Sequence, residues 1–130
     1  MSLFYNLKNL LKSPHSLSTV EKKINYLFHN RDYLVQAFTH KSISTSPREN
    51  YERLEFLGDA FISLVVAKCL FKLYPKKKEG YLTQLRSKIV SRNHLNKLGS
   101  SIGLEEFILY QKSANSYKSL IGNAFEALYG

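Results

Sequence analysis

Apolar residues recur along most of this chain at spacings of three and four, the period of amphipathic helices rather than strands. The opening "MSLFYNLKNLLKS" is amphipathic and predicts a first helix packed on the domain, broken by "SPHSLS". Ser18 and Glu21 have capping-box spacing, which opens a helix over Val20 to Leu27. Asn30 caps a helix from Arg31 to Phe38, with Leu34, Val35 and Phe38 as its inner face. "KSISTSPREN" has the composition of a loop. A long helix is expected from Glu49 to Tyr74, stopped by Pro75. After the basic turn "PKKKEG", Tyr81, Leu82, Leu85 and Ile89 share the apolar face of the next helix. Ser91 or Asn93 starts another, ending near Gly103. "LEEFI" is a short helical turn and "QKSANSY" a polar loop. A final helix begins near Lys118 and still runs at Tyr129. No strand pattern, internal repeat or low-complexity tract is present, so the class is all-α. Residues 1–19 are expected to form an N-terminal helix and linker, and 20–130 a single domain.

At 130 residues the chain is long enough for one domain with a core. The formal charge of +9 points to a polyanionic partner, nucleic acid or an anionic membrane surface. No apolar run is long enough to span a bilayer, and Ser63, Lys68 and Lys72 interrupt the longest. The amphipathic start lacks the continuous apolar core and cleavage site of a signal peptide, so a cytoplasmic location without a membrane is expected. Cys69 is the single cysteine, which excludes an internal disulfide. Its apolar surroundings predict a buried thiol.

The long helix carries the candidate chemistry. Glu52, Glu55 and Asp59 project within about 60° of one another, with Leu54, Leu57, Phe61 and Leu64 expected to face the core opposite. Like charges at these spacings destabilise a helix by a few tenths of a kcal/mol per pair. One reading is a solvated polar face screened by Arg53 and nearby lysines. The other is a site for a hard divalent cation, which takes carboxylate oxygens. On the last helix Asn123 and Glu126 share a face, while Phe125 and Leu128 turn to the core. Two helices offering oxygen ligands across a cleft are one way helical bundles build metal sites. Spacing alone leaves both readings open. Acid–base catalysis by His40 and His94 is set aside, because nothing in the sequence pairs them. His15 and His29 read as surface residues.

"ERLEFLGDA" at 52–60 resembles the signature of ribonuclease III, the endonucleases of double-stranded RNA. "AFTHKS" before it, "EGYLTQLRSKIVSRNHLNKLGSSIGL" after it and "NAFEALYG" at 123–130 resemble further family segments, in the family's order. The resemblance implies a ribonuclease III-type helical endonuclease domain, working as a homodimer in RNA processing, including rRNA processing. It implies Mg²⁺-dependent hydrolysis, with Mn²⁺ as a possible substitute, leaving 5′-phosphate and 3′-hydroxyl ends. Position by position, Glu55, Asp59 and Glu126 match metal-binding carboxylates, and Glu52, Asp59 and Glu126 are the expected catalytic residues. Glu79 matches a supporting acidic position, and Phe56 an aromatic residue that inserts into the partner subunit. Asn123 stands where the family has aspartate; it keeps an oxygen ligand and loses a charge.

The resemblance also implies that the domain is cut short at Gly130 and lacks the double-stranded-RNA-binding domain that bacterial members append. Duplex RNA is read largely through phosphates and A-form shape. Lys76, Lys77, Lys78, Arg86 and Arg92 are the candidate RNA contacts, with a merely solvated turn the plainer reading of the three lysines. Two other readings remain: a non-catalytic RNA-binding or assembly module of the same fold, and a helical DNA-binding protein.

Overall fold

The computed structural model describes residues 14–111 and 117–130. The expected N-terminal helix within residues 1–13, His15 and most of the "QKSANSY" loop lie outside the described residues or side chains. The helices are α1 (Pro14–Ile24), α2 (Arg31–Ala37), α3 (Glu52–Leu73), α4 (Glu79–Ile89), α5 (Arg92–Ser101) and α6 (Tyr117–Tyr129), with a 3₁₀ turn at Leu104–Glu106. Among the described residues the extended structure is a lone parallel bridge between Thr39 and Leu109. The all-α reading therefore holds.

Helix α1 starts earlier than the Ser18–Glu21 spacing suggests. Within the described residues it already runs from Pro14. Ser18 then lies inside the helix, and Glu21 has a different task. It is 2% exposed and accepts hydrogen bonds from Arg31 Nη2 at 2.8 Å and the Phe28 N–H at 3.0 Å. The helix ends at Ile24 because Asn25 takes the left-handed conformation, with φ of 53°.

Local signals place the next elements well. The Asn30 side chain accepts the Asp32 N–H at 3.0 Å and opens α2. Ser91 does the same for α5 through the His94 N–H. Gly103, at φ of 69°, ends the turn after α5. The long helix α3 starts three residues after the expected Glu49. The side chain of Asn50, 1% exposed, accepts the Glu52 N–H at 3.0 Å and donates to the Ser44 carbonyl at 3.1 Å. Asn50 thus ties the loop to the first turn of α3.

The core joins Leu17 and Val20 of α1, Leu34 and Val35 of α2, Leu95 of α5, and Leu120, Ala124 and Phe125 of α6, with Phe38, Leu104 and Phe107 between them. Helix α6 is central, packing most extensively on α3 and α5. The face of α3 that meets α6 is not the leucine face. Leu57, Phe61 and Leu64 are 53%, 48% and 67% exposed, while Gly58 is buried. A Cβ at Gly58 would run into the Glu126 carbonyl, so α3 and α6 meet backbone to backbone there. That close approach turns the Glu55 side of α3 inward and leaves the leucines outside. The same rotation exposes Cys69, contrary to the expected buried thiol. No helix of the described residues is long and apolar enough to cross a membrane.

Candidate active site

The α3–α6 contact gathers part of the acidic set. Glu126 is 6% exposed, one turn along α6 from Asn123. Its carboxyl is pushed up to about 7, first by burial and then by the charges of Glu55 and Asp59, with Arg92 acting the other way. Glu55 is also raised, again mainly by burial, with Glu52 and Asp59 adding to it and Arg92 and Lys41 opposing. The charges of Glu55 and Asp59 thus act on Glu126 across the α3–α6 surface, less than its burial does.

Two cations lie against this surface. Arg92 Nη2 stands 3.9 Å from Glu55 Oε1, and Lys41 Nζ 3.1 Å from Glu52 Oε1. Both ion pairs are solvent-accessible, so each contributes about 1 kcal/mol at most. Lys41 was not expected here, although it lies in the "THKS" segment before the signature. Arg92, expected as an RNA contact, is also the residue that reaches Glu55. The other basic candidates stay away from it. Lys76, Lys77 and Lys78 are exposed in the α3–α4 turn, with Lys77 Nζ 5.0 Å above the Tyr81 ring. Arg86 and Glu79 line a shallow groove between α3 and α4, where Glu79 Oε1 accepts a 2.6 Å hydrogen bond from Thr83.

Asn123 has a partner invisible in the sequence. Its Nδ2 donates to the Tyr51 hydroxyl at 3.2 Å, while its Oδ1 is buried and accepts from no described group. Tyr51 is 3% exposed and lies in a small cluster with Ala37, Ala127 and Leu54. Burial holds its phenol above the usual value, so the hydroxyl stays protonated at neutral pH. His40 is not the unpaired histidine that the sequence suggested. It is 4% exposed, its Nδ1 is 2.7 Å from Ser42 Oγ, and its ring is 5.5 Å from that of Tyr51. Burial lowers its pKa, so it stands neutral, as a structural residue. His94 and His29 are exposed.

The donors suit a hard divalent cation in kind. Burial holds the Glu126 and Glu55 carboxyls above their usual pKa despite Arg92 nearby, and the buried Asn123 amide oxygen accepts from no described group. Among the described residues, no three His, Cys, Asp or Glu side chains converge as a finished ligand set.

Residues 30–130 match the family model described as Ribonuclease-III-like. The chain belongs to the ribonuclease III family. It is 42% identical over 118 residues to Ribonuclease 3 of Flavobacterium psychrophilum, covering 87% of this chain and 48% of the relative. It is 48% identical over 140 residues to that of Phocaeicola vulgatus, covering 98% and 45%. The chain therefore spans about half the length of these curated relatives. Among solved structures, it superposes on the nuclease domain of ribonuclease III from Campylobacter jejuni with a TM-score of 0.81 at 36% identity, covering 86% of this chain and 80% of that one. That structure shows flexibility in a region involved in dimer formation.

Proposed function

We propose that this ribonuclease III-family chain is an Mg²⁺-dependent endonuclease of double-stranded RNA, acting in RNA processing in the cytoplasm and leaving 5′-phosphate and 3′-hydroxyl ends. The observation that carries the reading is the burial, at the α3–α6 contact, of the Glu126 carboxyl together with an Asn123 oxygen that accepts from no described group. A structural module gains nothing from burying a carboxylate whose charged form that burial disfavours. Glu55, Asp59, Glu126 and the Asn123 oxygen would hold the metal, and Glu52 would line the site beside them. A bound divalent ion supplies an activated water and charge neutralisation at the leaving oxygen. The chain's own residues hold the donors in place, and Arg92 and Lys41 offset charge at the rim. Glu79 is proposed as a supporting residue only.

The protein would act as a homodimer through Phe56. This ring is 81% exposed on α3, beside the outward Leu57. Next to it opens a cavity of about 740 Å³ lined by Tyr33, Gln36, Pro47, Arg48 and Leu54. An aromatic knob beside a cavity on one face suits a two-fold interface, where each copy offers both. The basic excess, including Lys76, Lys77, Lys78 and Arg86, suits the phosphates of a duplex.

The test is cleavage of a generic RNA duplex with and without Mg²⁺, by the parent and by Glu126→Gln. Metal-dependent cleavage by the parent, lost in the variant, is expected. Duplex binding without cleavage by the parent would favour a non-catalytic module of the same fold.

A further inference from the structure

The side chain of Asn123 has two chemically different ends, an oxygen that accepts and an NH₂ that only donates. A carboxylate at that position would offer equivalent oxygens and need no orientation. An amide does, because the wrong end presents N–H groups to a cation. In this structure the NH₂ end is taken by the Tyr51 hydroxyl, at 3.2 Å, and the oxygen is the end left buried without a described partner.

Tyr51 is held firmly beside that amide. Its N–H donates to the Thr39 carbonyl at 2.9 Å, its ring packs with Ala37 and Ala127, and the His40 ring lies 5.5 Å away. Being 3% exposed, it has little freedom to move. It stands immediately before Glu52, so one residue links the start of α3 to the second acidic motif on α6.

We propose that Tyr51 is a positioning residue for divalent-ion binding: by accepting the Asn123 NH₂, it fixes the amide so that Oδ1 is the end offered to the cation. The proposal rests on the cation site described above, and deepens it by assigning a function to a residue outside both acidic motifs. Tyr51 touches neither substrate nor metal in this scheme and acts only through Asn123.

The test is a double-mutant cycle read by calorimetric titration with Mn²⁺ alone, on the parent, Tyr51→Phe, Asn123→Asp and the double variant, with Glu126→Gln as control. Tyr51→Phe keeps the ring and removes only the hydroxyl, and melting temperatures without metal check that each protein folds. Tyr51→Phe is expected to weaken Mn²⁺ binding roughly fivefold with Asn123 present, the worth of one hydrogen bond. In the Asn123→Asp background it should change binding less than about twofold, because either carboxylate oxygen serves. Equal weakening in both backgrounds would reveal a general structural role and overturn the proposal. So would unchanged binding by Tyr51→Phe while Glu126→Gln binds more weakly. If the parent binds no Mn²⁺, or Glu126→Gln binds as the parent does, the cation site itself is overturned.

Discussion

Replacing Glu126 by glutamine should stabilise the metal-free protein, and increasingly so as pH rises. The carboxyl titrates near 4.5 when free of the fold and near 7 within it. The native state therefore binds this proton more tightly than the unfolded state. Below about pH 4.5 the group is protonated in both states and carries no penalty. Between the two values native stability falls, and above about 7 the full cost of the buried anion is present. The gap corresponds to about 3 kcal/mol, and a side chain only 6% exposed is little screened by water. The glutamine keeps the shape without the charge. At pH 8 it should raise the unfolding free energy by about 2 to 3 kcal/mol, or the melting temperature by on the order of 10 °C. At pH 4.5 the two proteins should differ little.

His40 opposes this trend, because burial lowers its pKa and its contribution is lost as pH falls through the histidine range. Both proteins carry His40, so the difference between them isolates Glu126. Urea denaturation of parent and variant at half-unit steps from pH 4.5 to 8.5 measures it. Adding Mg²⁺ at pH 8 should restore stability to the parent and leave the variant nearly unmoved. A difference that stays flat across the range would refute the reasoning, since Glu126 would then not be a desolvated member of a repelling cluster.

Gly58→Ala should destabilise the fold by about 3 kcal/mol, because its Cβ meets the Glu126 backbone rather than a movable side chain; a melting curve like the parent's would show that α3 and α6 are not so tightly apposed. Phe56→Ala should leave the melting temperature of the monomer within a few degrees, given the ring's exposure. It should also weaken self-association at least tenfold in sedimentation equilibrium, as expected for a buried aromatic anchor; undiminished association would remove Phe56 from the interface. Arg92→Gln should tighten Mn²⁺ binding by removing a competing cation 3.9 Å from Glu55 and cost the metal-free protein less than about 1 kcal/mol at pH 8. Weaker Mn²⁺ binding would mean that Arg92 supports the site instead of competing for it.

Where a boundary depends on a residue and its close neighbours, the sequence determined it. Asn30, Pro75 and Gly103 bound their helices as expected, and Ser91, one of two starts offered, caps its own, because caps and breakers act within one turn. Period alone puts Glu52, Glu55 and Asp59 on one stripe and Asn123 and Glu126 on another, while whether the two helices meet was left open by spacing. Even at short range, tertiary structure could intervene. Ser18 and Glu21 have capping spacing, yet Glu21 is drawn inward by Arg31, ten positions on.

Helix α3 shows where local reasoning stops. It is apolar on more than one side, so periodicity cannot select its inner face. Gly58 decides, because only a residue without a Cβ lets the α6 backbone approach, and that contact carries the acidic side inward and the leucines outward. Exposure of Cys69 and Phe56 follows from the same rotation. The link between Tyr51 and Asn123 spans 72 positions. No composition or spacing encodes it, since a hydrogen bond between distant segments exists only once α3 and α6 have packed.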